Sequence, residues 1–434
     1  MTTFARAAVC SPLTPASQIG ADVLKGGGNA VDAAIATNLA LAVAYPHMCG
    51  VGGDLLAMVW SDGELVGLNS SGRLPVEARM EAEGVPERGV AAATVPGAPA
   101  GWGALAERFG TRSLDELAAP AIRLSREGVD RPPGLARATE SHAWLLERDT
   151  EAKRIFLASG SLVQEELAET LEDLGNFYTG ITARAAPAPF APDDFAAHRA
   201  EWVEPWSEDF AGVTVLEMPP NSRGRLALEA LRKLEPLDGL APSDAEWHLR
   251  LIRACRGAGM ASDTVYICVM DQNHMAVSLN QSLYMAFGSG VVIPGTGVLL
   301  QNRGAYLRPE EYRGAAKPIH TLSPAMALAD GRPRLVFGTM GGDAQVQIHV
   351  QLLARLLLTT DDPQDAVAAP RWVLRDGTLL VENGLPDLRG LVGGITVRPM
   401  PEPAHAGHAH AIRVDHDGLR AGCDPRADGI PVGF

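Results

Sequence analysis

The sequence predicts a mixed α+β fold, and two patterns carry the prediction. Apolar runs at 265–270 and 275–279 flank the turn residues 271–274, which is typical of a β-hairpin. Helical spacing of apolar residues instead fills most of the stretch 100–180. Helices and strands do not alternate as in βαβ units, so the pattern disfavours a doubly wound parallel sheet. With 434 residues, 46% of them hydrophobic, the chain is long enough to bury a large core.

Two helices are predicted near the start of the chain, within residues 14–45. The first ends at Gly26–Gly28, a common C-terminal signal. Asn29 can cap the second helix, and Asp32 falls at its third position, where a carboxylate favours the helix dipole. The Ala/Leu-rich run 30–45 is too short to span a bilayer and is interpreted as a buried helix.

The remaining elements follow from apolar runs and from turn residues. The predicted strands are 55–60 and 64–68, joined at Ser61–Gly63, then 212–218, and the pair 325–329 and 333–337. The predicted helices are 226–234, 244–258 and 345–358. Breaks in the helical stretch are predicted at Gly110, Pro120 and Pro132–Pro133. No fixed-period repeat or heptad pattern occurs, which disfavours a solenoid or a coiled coil.

The charge balance argues against nucleic acid as the partner. Asp and Glu number 52 against 37 Lys and Arg, so the formal charge is -15, and such a surface disfavours a phosphate backbone. The chain has no apolar run that follows a basic start, so no signal peptide is predicted. No segment is long and apolar enough to span a bilayer. We therefore expect a cytoplasmic protein that contacts neither nucleic acid nor membrane.

Neither the cysteines nor the histidines give a strong disulfide or metal signature. The five cysteines are far apart and form no CxxC: Cys10, Cys49, Cys255, Cys268 and Cys423. Cys268 lies in an apolar alternating segment and is interpreted as a core residue, with a catalytic thiol as the alternative. His405, His408 and His410 could bind a metal if they lay on a strand. We favour a glycine-broken loop that enters an edge strand there, and we predict no metal site.

Glycine patches are the sharper signal for function. They occupy 26–28, 50–53, 288–290, 295–297 and 338–342, and composition alone would assign them to tight turns. Adjacent glycines can also direct two backbone N–H groups to one point, as an oxyanion hole requires. The pattern alone does not decide between these interpretations. The common signatures of nucleotide-binding loops, serine elbows and zinc peptidases are absent.

Ordered blocks along most of the chain carry a resemblance to a known family. The blocks are Gly27-Gly-Asn-Ala-Val-Asp-Ala-Ala34, Gly50-Val-Gly-Gly53, Val95-Pro-Gly-Ala-Pro-Ala-Gly101, Met218-Pro-Pro-Asn-Ser-Arg-Gly224, Asp263-Thr264, Gly288-Ser-Gly-Val-Val-Ile-Pro-Gly-Thr-Gly297, Gly338-Thr-Met-Gly-Gly342, Ala369-Pro-Arg371 and Asp424-Pro-Arg426. On these blocks the chain resembles the gamma-glutamyltransferase (glutathione hydrolase) family. The resemblance implies an N-terminal-nucleophile hydrolase, with residues 1–434 forming one four-layer αββα sandwich. It also implies a precursor that cuts itself between Asp263 and Thr264, giving a large subunit, 1–263, and a small subunit, 264–434.

Thr264 matches the nucleophilic threonine of that family. It heads the predicted strand 265–270, and once the preceding bond is cut its hydroxyl becomes the nucleophile and its new α-amine the base. An α-amine with a pKa of about 8 suits general base catalysis near neutral pH. The alternative is a threonine that merely starts a strand. By the same resemblance, Gly341 and Gly342 hold the oxyanion and Ser282 supports the nucleophile.

The resemblance also implies which residues line the substrate. Five positions are expected to do so: Arg73, Tyr284, Arg303, His320 and Thr321. Thr321 matches one of two adjacent serines near the substrate carboxylate, and His320 replaces the other. Arg73 falls two residues past the carboxylate-binding arginine of the family, and a solvated turn arginine is the alternative there.

Three departures from the family change the expected substrate. Tyr284 replaces an asparagine, Arg303 replaces a glutamine, and Tyr306 replaces the aspartate that holds the glutamyl α-amino group. A buried ammonium without its carboxylate loses a charge-assisted hydrogen bond, on the order of 1.5–3 kcal/mol. A positive, aromatic pocket instead suits an anionic acyl group that lacks an α-amine.

Four blocks resemble the oxamate amidohydrolase branch of the family in particular: 281–284, 287–290, 301–304 and 338–343. That resemblance implies hydrolysis of a small-molecule amide through a threonine acyl-enzyme, without a metal or an organic cofactor. One alternative is a glutathione hydrolase or transpeptidase of glutathione metabolism. The other is an uncleaved, inactive chain that serves as a binding or assembly subunit. A homodimer is compatible with all three.

A further departure concerns maturation. In the family, several tens of residues separate the helix that matches 244–260 from the threonine. Here Met260 is followed almost directly by Ser262-Asp-Thr264. The loss of this segment could speed, slow or prevent self-cleavage, or leave the pocket more open.

Overall fold

The computed structural model of the chain describes residues 2–80, 84–256, 263–360 and 362–434. The α-helices are α1 (Thr14–Lys25), α2 (Ala30–Ala44), α3 (Ala98–Phe109), α4 (Leu114–Glu127), α5 (Pro133–Ser141), α6 (Ala143–Leu146), α7 (Thr150–Phe156), α8 (Glu165–Glu172), α9 (Ile181–Ala185), α10 (Pro192–Ala196), α11 (Gly224–Lys233), α12 (Ala245–Ala254), α13 (Gln345–Leu358) and α14 (Pro363–Ala368). The strands are β1 (Thr3–Phe4), β2 (Ala8–Cys10), β3 (Asp54–Ser61), β4 (Glu64–Ser70), β5 (Glu201–Val203), β6 (Trp206–Phe210), β7 (Val213–Glu217), β8 (Asp263–Met270), β9 (Ala276–Tyr284), β10 (Val292–Ile293), β11 (Val298–Leu299), β12 (Ala325–Ala329), β13 (Arg332–Thr339), β14 (Trp372–Arg375), β15 (Thr378–Val381), β16 (Thr396–Pro399), β17 (Ala409–Asp415), β18 (Gly418–Cys423) and β19 (Val432–Gly433).

Two seven-stranded sheets face each other across a shared apolar layer. One sheet has the order β19-β2-β8-β9-β3-β4-β5 and the other β1-β18-β17-β13-β12-β7-β6. Alternate side chains of both sheets fill the layer between them, among them Met58, Tyr266, Met326 and Ile412. Helices α1–α4 pack on the outer face of the first sheet, and α11–α14 pack on that of the second. This succession of helix, sheet, sheet and helix confirms the predicted αββα sandwich.

Helix α2 is buried along its whole length, which explains its nearly uninterrupted apolar sequence. The predicted cap is confirmed, because the Asn29 side chain accepts a hydrogen bond from the Asp32 N–H, and Asp32 accepts one from the Asn29 N–H. Asp271, in the turn of the β8–β9 hairpin, accepts a hydrogen bond from the Ala30 N–H at 2.9 Å. The central hairpin is therefore fixed to the start of a buried helix.

The three hairpins predicted from apolar runs are confirmed as β3–β4, β8–β9 and β12–β13. The predicted helix at 226–234 corresponds to α11, and that at 345–358 to α13. The helix predicted at 244–258 is α12, which begins at Ala245. Residues 257 and 258, and the shortened segment that precedes Asp263, lie outside the described residues.

Two expectations from the sequence are wrong. Pro120 does not break the chain of helices but lies inside α4, where Leu117, Ala118 and Ala121 are buried. Burial of that face outweighs the one backbone hydrogen bond that a proline removes. The strand that follows His408 is not an edge strand, because β17 pairs with β13 on one side and with β18 on the other. Local sequence contains no information about which distant strands cover an element.

The blocks near residues 371 and 424 meet in a buried network of ion pairs. Arg371 pairs with Asp424, and Arg426 bridges Asp424 at 2.9 Å and Glu382 at 2.5 Å. Burial acts to raise the pKa of Asp424, yet the adjacent arginines lower it to about 2. These blocks therefore join the end of β18, in the second sheet, to the segment that precedes β14.

The cysteines of the described chain are buried free thiols. Cys268 lies in the layer between the sheets, and burial raises the pKa of its thiol, as expected for a core residue rather than a nucleophile. Within the described ranges no three metal-ligating side chains come together. None of the described helices is long and apolar enough to cross a membrane.

Candidate active site

Thr264 is the second residue of β8 and lies at a break in the register of the sheet. Asp263 pairs with Tyr284 and Val265 pairs with Gln281, so the register shifts by one residue across Thr264. Such bulges redirect a side chain and are common beside active sites. Thr264 is buried. The peptide bond that sequence reasoning selects for cleavage therefore lies at the open end of the central hairpin.

Ser282 lies on β9 near Thr264, and like Thr264 it is buried. Its Oγ accepts a hydrogen bond from the Tyr284 N–H at 2.7 Å. Tyr284 has a φ of 80°, in the left-handed region that non-glycine residues rarely adopt. The hydroxyl of Ser282 thus holds a sharply turned backbone beside the predicted nucleophile.

Gly341 and Gly342 form the turn between β13 and α13, with φ values of 136° and 57° that glycine adopts most readily. N–H groups ahead of a helix favour a negatively charged oxygen. Asn280 joins this turn to the threonine strand, since its Nδ2 donates to the carbonyl of Thr339 at 3.1 Å and to that of Val265 at 3.5 Å. The predicted oxyanion turn and the predicted nucleophile therefore lie at the same end of the sandwich.

Arg303 is a buried guanidinium without a carboxylate partner among the described residues. It is 1% exposed, and its Nη1 donates to Thr321 Oγ1 at 3.2 Å. Its Nε and Nη2 have no hydrogen-bond partner in the described chain. The Tyr284 ring faces it, with the guanidinium carbon 4.2 Å from the ring centroid. Burial lowers the pKa of Arg303, and an arginine nevertheless stays positively charged.

His320, next to Thr321, forms a buried pair with Asp54. Its Nε2 donates to Asp54 Oδ2 at 3.0 Å, and its Nδ1 accepts from the Leu322 N–H at 3.4 Å. With these partners the ring carries its hydrogen on Nε2 only, so His320 is a neutral imidazole. Burial and the positive charge of Arg303 lower the pKa of His320 to about 4. Burial acts to raise the pKa of Asp54, but hydrogen bonds from His320 and the Gly72 N–H lower it.

Tyr306 contacts a second buried carboxylate, Asp343. Its hydroxyl lies 2.7 Å and 2.9 Å from the two oxygens of Asp343. Arg223 Nη1 lies 2.5 Å from Asp343 Oδ1 and donates to the Tyr306 hydroxyl at 2.9 Å. The carboxylate nearest the oxyanion turn is therefore neutralised by the protein itself.

Arg73 differs from Arg303 in its exposure. Its side chain is exposed, and its Nη1 donates to the carbonyl of Ala315 at 3.4 Å. It directly follows Gly72, whose N–H binds Asp54, so it lies near the site but at its surface. Binding of a substrate carboxylate by Arg73 stays a prediction.

Sequence reasoning found most of this arrangement but missed three charged residues. The structure connects Tyr284, Arg303 and Thr321 by direct contact, and His320 is adjacent in the chain. The three missed residues are Asp54, Arg223 and Asp343. A signal was present for two of them, since Asp54 and Asp343 each directly follow a pair of glycines. A carboxylate that directly follows a glycine turn is often placed at the edge of an active site.

Comparison with known proteins identifies the family. Residues 16–258 and 243–434 match the gamma-glutamyltranspeptidase family model, and the chain belongs to that family of N-terminal-nucleophile hydrolases and acyltransferases. The predicted family and enzyme class are thereby confirmed.

Individual relatives cover the chain almost completely. It is 32% identical to the glutathione hydrolase-like YwrD proenzyme of Bacillus subtilis, over 98% of each chain. It is 30% identical to the oxamate amidohydrolase proenzyme of Klebsiella pneumoniae, over 96% of this chain and 97% of the relative. Among solved structures, cephalosporin acylase from Bacillus halodurans superimposes with a TM-score of 0.92 at 31% identity, covering 100% of this chain and 96% of that one.

Proposed function

We propose that this chain is a self-processing threonine amidohydrolase that acts on an amide of a small anionic acyl group, oxamate-like in its chemistry. The observation that carries the proposal is Arg303, whose buried guanidinium has two unpaired donor atoms and no ion-pair partner among the described residues. A buried charge without a partner is strongly unfavourable. A substrate carboxylate would supply the missing charge and accept the free N–H groups.

Maturation would begin at the bond between Asp263 and Thr264. The Thr264 hydroxyl attacks the carbonyl carbon of Asp263, the peptide nitrogen leaves, and an ester forms. The leaving nitrogen takes the hydroxyl proton and becomes the Thr264 α-amine. Water then hydrolyses the ester, which frees the α-carboxylate of Asp263 and the Thr264 hydroxyl. The names of the relatives support this step, because several are called proenzymes.

Turnover would use the freed α-amine as a general base. The amine takes the proton of the Thr264 hydroxyl as the oxygen attacks the substrate amide. The N–H groups of Gly341 and Gly342 stabilise the resulting oxyanion. The leaving amine takes the proton, and water hydrolyses the acyl-threonine ester with the same base. Ser282 is assigned to support of the nucleophile, while Arg303, with Tyr284 and Thr321 around it, is assigned to the acyl anion.

The main alternative is a glutathione hydrolase or transpeptidase, as named for one relative that is 26% identical, from Escherichia coli. Its gamma-glutamyl substrate carries an α-ammonium, which needs a carboxylate partner. Of the two buried carboxylates of the candidate site, Asp343 is paired with Arg223, and Asp54 already accepts hydrogen bonds from His320 and the Gly72 N–H. This pairing favours an acyl group without an ammonium.

A pair of substrates separates these two functions. The mono-p-nitroanilide of glutaric acid and gamma-glutamyl-p-nitroanilide differ only in the α-ammonium group. We expect turnover of the glutaric, succinic or oxalic monoanilides, and at most slow turnover of the gamma-glutamyl compound. Efficient turnover of the gamma-glutamyl compound alone would reject an anion-selective amidohydrolase.

The second alternative is an uncleaved, inactive subunit, which denaturing electrophoresis and intact mass test directly. Processing is expected to give pieces of about 28 and about 18 kDa, scaled by residue count from the 45.8 kDa chain. We expect Thr264→Ala to stay intact and inactive, and Thr264→Ser, which keeps a hydroxyl, to be processed. A native chain that stays whole and behaves like Thr264→Ala would favour the inactive subunit.

A further inference from the structure

Arg223, Asp343 and Tyr306 form a closed set of contacts, called here the carboxylate clamp. Asp343 is 3% exposed and receives the Tyr306 hydroxyl at both oxygens, at 2.7 Å and 2.9 Å. Arg223 reaches Asp343 Oδ1 at 2.5 Å and the Tyr306 hydroxyl at 2.9 Å. Charge-assisted contacts of this kind are short and geometrically specific.

The clamp joins three separate segments of the site. Asp343 directly follows the oxyanion turn, in the 3₁₀ turn Gly342–Ala344. Tyr306 shares the 3₁₀ turn Arg303–Tyr306 with the anion-binding arginine. Arg223 donates its backbone N–H to the carbonyl of His320 at 3.1 Å. Movement of any one segment would therefore strain or break contacts with the others.

Aromatic contacts extend this connection to the guanidinium of Arg303. The Tyr306 ring meets the Tyr284 ring edge-on, with centroids 5.7 Å apart and an interplanar angle of 80°. The Tyr284 ring in turn lies 4.2 Å from the guanidinium carbon of Arg303. One end of the resulting chain of contacts is the oxyanion turn, and the other end is the buried cation.

We propose that the carboxylate clamp fixes the distance between the Arg303 guanidinium and the Gly341–Gly342 turn, and that this distance selects the length of the acyl chain. The inference rests on the proposed function, because a substrate must place its carboxylate at Arg303 and its amide carbonyl at the turn. A chain with one methylene too many or too few cannot satisfy both ends. A misplacement of about 1 Å at the reacting atoms can lower the rate by about 100-fold.

The clamp residues are positioning residues, since they act through Gly342 and Arg303. If the clamp residues were purely structural, substituting them would lower stability, or would lower activity on every substrate equally. If they are positioning residues, substituting them changes the preference of the enzyme among acyl chain lengths. The chain-length profile therefore separates the two roles.

The test uses the processed enzyme and the mono-p-nitroanilides of oxalic, malonic, succinic and glutaric acids. Tyr306→Phe removes only the hydroxyl, and Asp343→Asn removes the charge while keeping the shape. Tyr312→Phe is the matched control, because Tyr312 is also buried and its hydroxyl donates to the backbone carbonyl of Ala91. Urea unfolding of each variant measures stability separately.

We expect the native enzyme to prefer one chain length by about tenfold or more over its neighbours. Tyr306→Phe and Asp343→Asn should lower kcat/KM for that substrate by about tenfold or more and flatten the profile. Tyr312→Phe should keep the native profile. Clamp variants that keep the native profile, whatever their activity, would overturn the inference.

A second measurement does not depend on turnover, so a failure of the proposed function is recognised separately. If the native enzyme hydrolyses none of the four monoanilides, the proposed function fails. Crystal structures of the native chain and of Asp343→Asn then decide the clamp alone. A changed separation between the Arg303 guanidinium and the Gly342 N–H supports the clamp, and an unchanged separation overturns it.

Discussion

Two arginines of the described chain are buried, and they differ in the groups that contact their guanidinium. Arg371, 3% exposed, pairs with Asp424 and donates to the backbone carbonyls of Ala406 and Val367, at 2.8 Å and 2.7 Å. Arg303, 1% exposed, has one hydroxyl and an aromatic face but no carboxylate. The charge of Arg371 is therefore paired in direct contact with a carboxylate, whereas Asp54 and Asp343 act on the charge of Arg303 without forming an ion pair with it among the described residues.

The comparison separates an arginine that maintains the fold from one that is available to a ligand. Burial lowers the pKa of both guanidinium groups, but at Arg371 the negative Asp424 opposes the shift. At Arg303 the negative Asp54 and Asp343 also oppose the shift, but neither forms an ion pair with the guanidinium, whose Nε and Nη2 have no hydrogen-bond partner in the described chain. We infer that folding needs the first arginine, whereas substrate binding needs the second.

The largest expected effect is on the stability of Arg371→Met. The substitution leaves Asp424 buried with one cation fewer and two carbonyls without their donor. Breaking a buried pair in this way costs about 3–5 kcal/mol. Urea unfolding at pH 7 measures the loss, and Asp424→Leu added to Arg371→Met should recover part of it. A variant as stable as the native chain would remove the distinction between the two arginines.

The next effect is on activity, in Arg303→Met. We expect kcat/KM for the preferred anionic amide to fall by about 100-fold, since a charge-assisted hydrogen bond contributes about 1.5–3 kcal/mol. The free energy of unfolding should stay unchanged or rise, because the variant no longer buries an unpaired charge. Steady-state kinetics and urea unfolding on the same preparation test both statements. A large loss of stability with full activity would reverse the assignment.

A smaller effect concerns pH, because buried histidines accompany both arginines. Burial lowers the pKa of His320, near Arg303, to about 4, and that of His408, whose charged neighbours include Asp424 and Arg371, also to about 4. These values lie below the ordinary value of 6.5, so between pH 6.5 and 4 the unfolded chain binds more protons than the folded one. Stability should therefore fall as the pH is lowered through this window.

The variant His408→Gln tests this acid effect. At pH 4.5 it should lose about 2 kcal/mol less stability, relative to pH 7, than the native chain loses. His416→Gln, in an exposed turn, is the control and should follow the native chain. Equal losses in all three proteins would contradict the assignment of His408 as a neutral buried group.

The smallest effect is expected for Arg73→Ala. An exposed cation contributes at most about 1 kcal/mol to binding an anion, which is about fivefold in KM. The effect should therefore be clearly smaller than that of Arg303→Met, with kcat little changed. If Arg73→Ala abolished activity while Arg303→Met did not, the anion site would belong to the surface arginine.

Apolar periodicity and turn residues are local signals, and they predicted the mixed α+β content and the hairpins, whereas the four-layer sandwich was implied by the family resemblance. The β8–β9 hairpin, the Asn29 cap and the position of Thr264 at the start of a strand all follow from neighbouring residues. The predictions of a helix break at Pro120 and of an edge strand after His408 were wrong because long-range packing decides both. Helix packing outweighs the proline, and distant strands enclose β17.

The residues of the candidate site were only partly accessible to sequence reasoning. Resemblance supplied Thr264, Gly341 and Arg303 as positions, but not their partners. Arg223, Tyr306 and Asp343 meet across large separations in the chain, and no local pattern predicts such a contact. Nor could the sequence distinguish the paired Arg371 from the unpaired Arg303, since both lie in family blocks.

The central claim is that the Arg303 guanidinium binds a negatively charged group on the acyl part of the substrate. The most direct measurement compares kcat/KM for the preferred dicarboxylic monoanilide with that for its methyl ester, in the native enzyme and in Arg303→Met. We expect the native enzyme to prefer the free acid by about 100-fold and Arg303→Met to show little preference. Two results would contradict the account. One is a native enzyme with equal kcat/KM for the anilide bond of the free acid and of the methyl ester. The other is an Arg303→Met variant that keeps the native ratio of these two kcat/KM values.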